Sequence, residues 1–233
     1  MVAFSSLFTV FTAIVGSLAA PADLVKDDNV PDLVSRGPSN FIIDTTNNTS
    51  LARRSAINYD QDYTTGGTVN YYSSSTGFEV TWNTEDDFVV GVGWNPGSTT
   101  PINFGGQFSV SSGTGLLSVY GWSTSPLVEY YIIEDYASPP SFGTQKGSVT
   151  SDGGTYTIWE NTRVNEPSIQ GTSTFNQYIS VRQSPRTEGT VTVQNHFNAW
   201  ANLGLKLGTL NFQVIAVEGW GGSGSASYAV NNS

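Results

Sequence analysis

Across residues 69–230 apolar and polar positions alternate with a period of two rather than 3.6, and Gly, Asn, Asp and Ser clusters interrupt the alternation at short intervals. The pattern predicts strands at 69–74, 78–82, 88–94, 104–110, 116–122, 127–136, 146–164, 175–182, 190–193, 212–217 and 225–230. The long 146–164 segment is expected to fold back at Asp152-Gly153-Gly154, where glycine supplies the positive φ of a tight hairpin turn. Only Asn195-His196-Phe197-Asn198-Ala199-Trp200 has helical character. Many short strands and one short helix predict an all-β sandwich of two twisted antiparallel sheets, one of whose faces forms a polar, aromatic-lined groove.

The N-terminal stretch breaks this pattern. Residues 1–20 hold an apolar run, Leu7 to Val15, followed by Gly16-Ser17-Leu18-Ala19-Ala20, as in a cleaved secretory signal, and the run is too short for a membrane span. Residues 21–54 are acidic, rich in Asn and Thr, poor in aromatics, and end in the dibasic pair Arg53-Arg54. They read as a pro-segment removed in the secretory pathway, the competing reading being a retained tail. Residues 55–233 then form one secreted domain with no internal linker, long enough to bury a substantial core.

Charge and residue usage narrow the chemistry. From Ser55 onward five bases face fourteen acids, a net charge of −9, which disfavours nucleic acid and anionic membranes as partners while leaving a neutral polymer open. There is no cysteine, so neither a disulfide framework nor a thiolate nucleophile exists. The single histidine, His196, offers no second imidazole for a metal site or triad and reads best as a packing residue.

Two carboxylates stand out against this sparse background. Glu129 lies in Pro126-Leu127-Val128-Glu129-Tyr130-Tyr131 and Glu218 in Val214-Ile215-Ala216-Val217-Glu218-Gly219-Trp220, each mid-strand among apolar residues, where an acid is costly unless the site uses it. Paired carboxylates are the working parts of glycoside hydrolysis. Strand parity places Glu129 beside Tyr131, Glu218 beside Ala216 and Trp220, Arg163 beside Thr157, Trp159 and Asn161, and Gln177 beside Phe175 and Ile179. Aromatic, amide and guanidinium groups around carboxylates suit a sugar site, although each aromatic taken alone reads more readily as core than as a sugar platform.

These residues sit in strings that resemble glycoside hydrolase family 11 endo-β-1,4-xylanases of fungal type: Asp87-Phe88-Val89-Val90-Gly91-Val92-Gly93-Trp94, Val119-Tyr120-Gly121-Trp122, Pro126 to Tyr131, Arg163-Val164-Asn165-Glu166-Pro167-Ser168-Ile169, Gln177 to Arg182, and Glu218-Gly219-Trp220. They occur in family order across most of 57–230. The resemblance implies a β-jelly roll with one helix, a retaining mechanism without metal or cofactor, Glu129 as nucleophile and Glu218 as acid/base. It also implies that Tyr120 and Tyr131 lie near the nucleophile and that Arg163, Pro167, Gln177 and Trp220 line the sugar subsites. Residues 167–171 then form the tip of a mobile thumb loop, and Tyr63 replaces a stacking tryptophan. Ile179 stands where relatives carry an aromatic. Asp87 takes the place that is Asp in acid-adapted members and Asn in others, so an acidic optimum is expected, with Asp87 coupled to Glu218.

The expected protein is thus a secreted, monomeric enzyme acting on xylan. A β-1,4-glucanase of related fold and a non-catalytic carbohydrate-binding sandwich remain the alternatives.

Overall fold

A computed structural model describes residues 55–62 and 67–232, with side chains from 67 to 231; the expected signal and pro-segment lie outside the described residues. In chain order the elements are β1 (Ser55–Asp62), β2 (Thr68–Ser74), β3 (Gly77–Thr84), β4 (Phe88–Asn95), β5 (Ile102–Thr124), β6 (Val128–Ala137), β7 (Thr144–Ser151), β8 (Gly154–Ser168), β9 (Gly171–Arg182), β10 (Glu188–Val191), α1 (Val193–Asn202) and β11 (Thr209–Asn232). All eleven strands belong to one sheet, with the path β1-β4-β11-β5-β6-β9-β8-β7; β3 joins β11, β2 joins β3 and β10 joins β5.

Two pairs of expected strands are fused. Residues 104–110 and 116–122 both lie in β5, and 212–217 and 225–230 both lie in β11. The Ser-Gly stretches between them look like turns in sequence, but Ser112 lies opposite Ser223 and the register shifts on either side of that pair. Gly113 and Gly221, at φ 76° and 63°, absorb the distortion as bulges, so the strands bend without ending. This lets β5 and β11 run through both layers of the sandwich. The strand pairs are antiparallel with one exception: β6 and β9 run parallel, with Glu129 opposite Gln177. The β7–β8 hairpin lies between them in sequence and turns at Asp152 and Gly153, both at positive φ, as expected.

Each face of the central strands is buried. One carries Val90, Val119, Tyr130, Ile132, Tyr156, Ile215 and Val217, and is covered by Phe78, Val80, Phe104 and Tyr228 from the folded-over half together with Val193 and Trp200 of α1. The spacing of Val193, His196 and Trp200 puts them on one side of α1, and Trp200 Nε1 donates to Ser180 Oγ at 2.9 Å. His196 is 0% exposed, edge-on to Tyr156 at 4.5 Å between ring centroids, and burial lowers its pKa to about 4. It is a neutral packing residue, as its surroundings in sequence indicate. The opposite face gathers Val89, Leu116, Tyr120, Trp122, Tyr131, Phe175, Val214 and Trp220, and here the candidate site lies.

Candidate active site

Alternation within β6 sends Val128, Tyr130 and Ile132 into the core shared with α1 and leaves Glu129, Tyr131 and Ile133 on the other face. Glu129 is 1% exposed and its two oxygens are met by three donors. Tyr120 Oη donates to Oε1 at 2.8 Å, Tyr131 Oη donates to the same oxygen at 3.1 Å, and Gln177 Nε2 donates to Oε2 at 2.8 Å. Such a set suits a carboxylate, which only accepts. The Tyr120 and Tyr131 rings also pack at 5.0 Å, which limits their freedom to turn away.

Glu218 lies two strands away, opposite Val89 on one side and Leu116 on the other, again 1% exposed. The β5 residues facing Glu129 and Glu218 are Trp122 and Leu116, which share one face, so both carboxylates emerge on it. Asp87 precedes β4 and stands two residues before Val89, the neighbour of Glu218; at 2% exposure it is buried on the Glu218 side of the site. Trp220 follows Glu218 by two residues and packs on the same face, opposite Thr114.

The remaining expected residues lie along β8, β9 and their hairpin. Gln177 is bonded to Glu129 directly. Arg163 is buried opposite Phe175, with Nη2 3.5 Å from Glu166 Oε2. Pro167 pairs with Thr172 near the hairpin tip, where Ser168 Oγ donates to the Gly171 carbonyl at 2.6 Å and accepts from Gln170 N at 3.0 Å. Gly171, at φ 81°, makes that turn possible, and Ile169 at the tip packs against the cluster on the site face. Ile179 is buried between Tyr131 and Trp159. Tyr63 falls outside the described residues.

Two groups were not linked to Glu129 from the sequence, although parity set Asn161 beside Arg163. Trp122 Nε1 donates to Tyr120 Oη at 2.7 Å, and Asn161 Nδ2 donates to Gln177 Oε1 at 2.8 Å. Their signal was parity alone, since each shares a strand face with a recognised residue. A third buried glutamate was also passed over. Glu134 in β6, 1% exposed, is the extra residue at a bulge opposite Leu117 and Ser118, and it turns into the other core. There it accepts from Tyr156 Oη at 2.8 Å and pairs with Arg186. The two differ in place: Glu134 turns into the α1 core and pairs there with a guanidinium, whereas Glu129 accepts from two phenols and an amide on the site face.

Residues 55–229 match the family described as Glycosyl hydrolases family 11. The chain belongs to glycoside hydrolase family 11. Among curated relatives in the family is Endo-1,4-beta-xylanase 1 of Hypocrea jecorina (strain QM6a), 68% identical over 232 residues and covering 100% of both chains. Ethylene-inducing xylanase 2 of Botryotinia fuckeliana (strain B05.10) is 64% identical over 231 residues, covering 99% of this chain and 100% of the relative. A solved chain from a structural comparison of two major endo-1,4-β-xylanases of Trichoderma reesei is 77% identical, superimposes with a TM-score of 0.74, and covers 76% of this chain and 100% of its own. The family 11 jelly roll is therefore the architecture in which Glu129 and Glu218 share one face.

Proposed function

We infer that this family 11 protein is an endo-1,4-β-xylanase that cleaves internal linkages of xylan with retention, and that Glu129 is its nucleophile. The observation that carries the reading is the set of donors on Glu129, two phenols and an amide, which fix the orientation of its carboxyl group on the buried site face. Glu129 attacks the anomeric carbon as Glu218 gives its proton to the departing glycosidic oxygen, leaving a glycosyl ester on Glu129. Glu218, now ionised, takes a proton from water. The water oxygen attacks the same carbon and Glu129 leaves as a carboxylate, so two inversions give net retention. The xylanase names of the full-length relatives supply the substrate class.

Asp87 is proposed as the group that shifts activity to acid, through its buried place just before β4, two residues ahead of Val89, which pairs with Glu218. Asp87→Asn is expected to move the optimum towards neutral pH; an unmoved profile removes the coupling. Secretion with a signal at 1–20 and removal of 21–54 is supported by the family match, which begins at Ser55, directly after Arg53-Arg54. The mature enzyme is proposed to act as a monomer.

The test is reducing-sugar release from xylan and from carboxymethyl cellulose across acid to neutral pH, with Glu129→Gln as control. Release from xylan alone, abolished by Glu129→Gln, is the expected result. Binding of xylan without hydrolysis would leave a carbohydrate-binding sandwich as the better account.

A further inference from the structure

Asn161, Gln177, Glu129 and Trp122 are consecutive neighbours across β8, β9, β6 and β5, one row of the sheet with Glu129 inside it. Hydrogen bonds run along this row towards Glu129 from both ends. From one side Trp122 Nε1 donates to Tyr120 Oη at 2.7 Å and Tyr120 donates to Oε1 at 2.8 Å. From the other Asn161 Nδ2 donates to Gln177 Oε1 at 2.8 Å and Gln177 Nε2 donates to Oε2 at 2.8 Å.

The direction of each chain is a chemical choice. A phenol has a single proton and an indole N–H can only donate, so with Trp122 on its oxygen the Tyr120 hydroxyl points its proton at the carboxylate. A primary amide can present either end. With an N–H on its oxygen, Gln177 turns its NH2 group to Glu129 rather than a carbonyl oxygen that would repel the charge.

We propose that Trp122 and Asn161 are positioning residues that set the polarity of these two chains, so that each oxygen of Glu129 faces a donor throughout the cycle. The proposal rests on the assignment of Glu129 as nucleophile. Charge leaves Glu129 when the glycosyl ester forms and returns when water displaces it, and donors already aimed at those oxygens receive it without reorganising. Their loss therefore slows departure of Glu129 more than it weakens sugar binding.

The experiment measures kcat and KM on a xylo-oligosaccharide for Asn161→Leu, Trp122→Phe, Gln177→Leu and Tyr120→Phe, each alone, and for the doubles that pair Asn161→Leu with Gln177→Leu and Trp122→Phe with Tyr120→Phe. Asn161 is only half-buried, so its variant gives a result even if Trp122→Phe fails to fold. Asn161→Leu and Trp122→Phe are each expected to lower kcat about tenfold with KM unchanged or lower. Added to Gln177→Leu or Tyr120→Phe, the Asn161→Leu or Trp122→Phe change should cost less than about a further twofold, because the donor through which it acts is already gone. A readout independent of turnover is the NMR signal of the Gln177 side-chain amide, expected to shift in Asn161→Leu. Fully multiplicative losses in the doubles, a loss confined to KM, or an unmoved Gln177 amide would overturn the proposal. Failure of the nucleophile assignment shows separately, as activity retained by Glu129→Gln.

Discussion

Replacing His196 by leucine should change how the stability of this protein depends on pH. The imidazole is 0% exposed, and burial is the main cause of a pKa near 4 against 6.5 for the unperturbed group. The Asp152 carboxylate partly opposes that shift, while Arg186 and Arg182 add to it. Between those two values the unfolded chain binds a proton that the folded chain refuses, so acid favours unfolding. Integrated over the interval from 6.5 to about 4, the effect is roughly 3 kcal/mol of stability lost on going from pH 7 to pH 4. For a domain of this size that corresponds to about 6–12 °C in Tm. The assay is urea unfolding of wild type and His196→Leu at pH 7 and pH 4. Any packing cost of leucine appears at both pH values and cancels in the comparison, while the His196 contribution appears only in wild type. The variant should gain about 3 kcal/mol on wild type between the two conditions. A stability difference that stays constant within about 0.5 kcal/mol would refute the reasoning, because it would mean that the buried imidazole titrates as it does in the unfolded chain.

Arg186→Met leaves the Glu134 carboxylate buried beside Tyr156 without its cation, and should cost about 3–5 kcal/mol in urea unfolding at pH 7. Burial already raises the Glu134 pKa and would then be opposed by the Tyr156 hydrogen bond and the Arg182 charge without the larger effect of Arg186, so the penalty should shrink in acid as the carboxyl takes up a proton. Asp152 behaves in the opposite sense. Burial works against its charge, but hydrogen bonds from the hydroxyl and backbone of Thr192, the residue just before α1, and from Ser151 outweigh it and lower its pKa. Its contribution is present at neutral pH and lost as the pH falls below the ordinary Asp value of 3.8. Asp152→Asn should therefore lower Tm at pH 7 by several degrees, and thermal scans of variant and wild type should converge in strong acid.

Much of this protein follows from local rules. Alternation within each strand depends only on the pleat, so the division of Val128, Tyr130 and Ile132 from Glu129, Tyr131 and Ile133 can be read without knowing any neighbour. The turn at Asp152-Gly153 and the helical spacing of Val193, His196 and Trp200 are equally local, and the strings around Glu129 and Glu218 are continuous in the chain. Other features depend on long-range packing. Whether Ser111-Ser112-Gly113 ends a strand or bulges within one is decided by the facing Ser223, more than a hundred residues away. The parallel pairing of β6 with β9 sets Gln177 against Glu129, and a slip of one residue would face it with a side chain of the wrong parity. Glu134 follows an apolar run much as Glu129 does, and its pairing with Arg186, brought in from a loop beyond β9, is what marks it as structural. Side-chain parity belongs to a single strand, whereas register and neighbour belong to the folded sheet. The carboxylates were therefore legible one at a time, and the donors that orient Glu129 became visible only once four strands lay side by side.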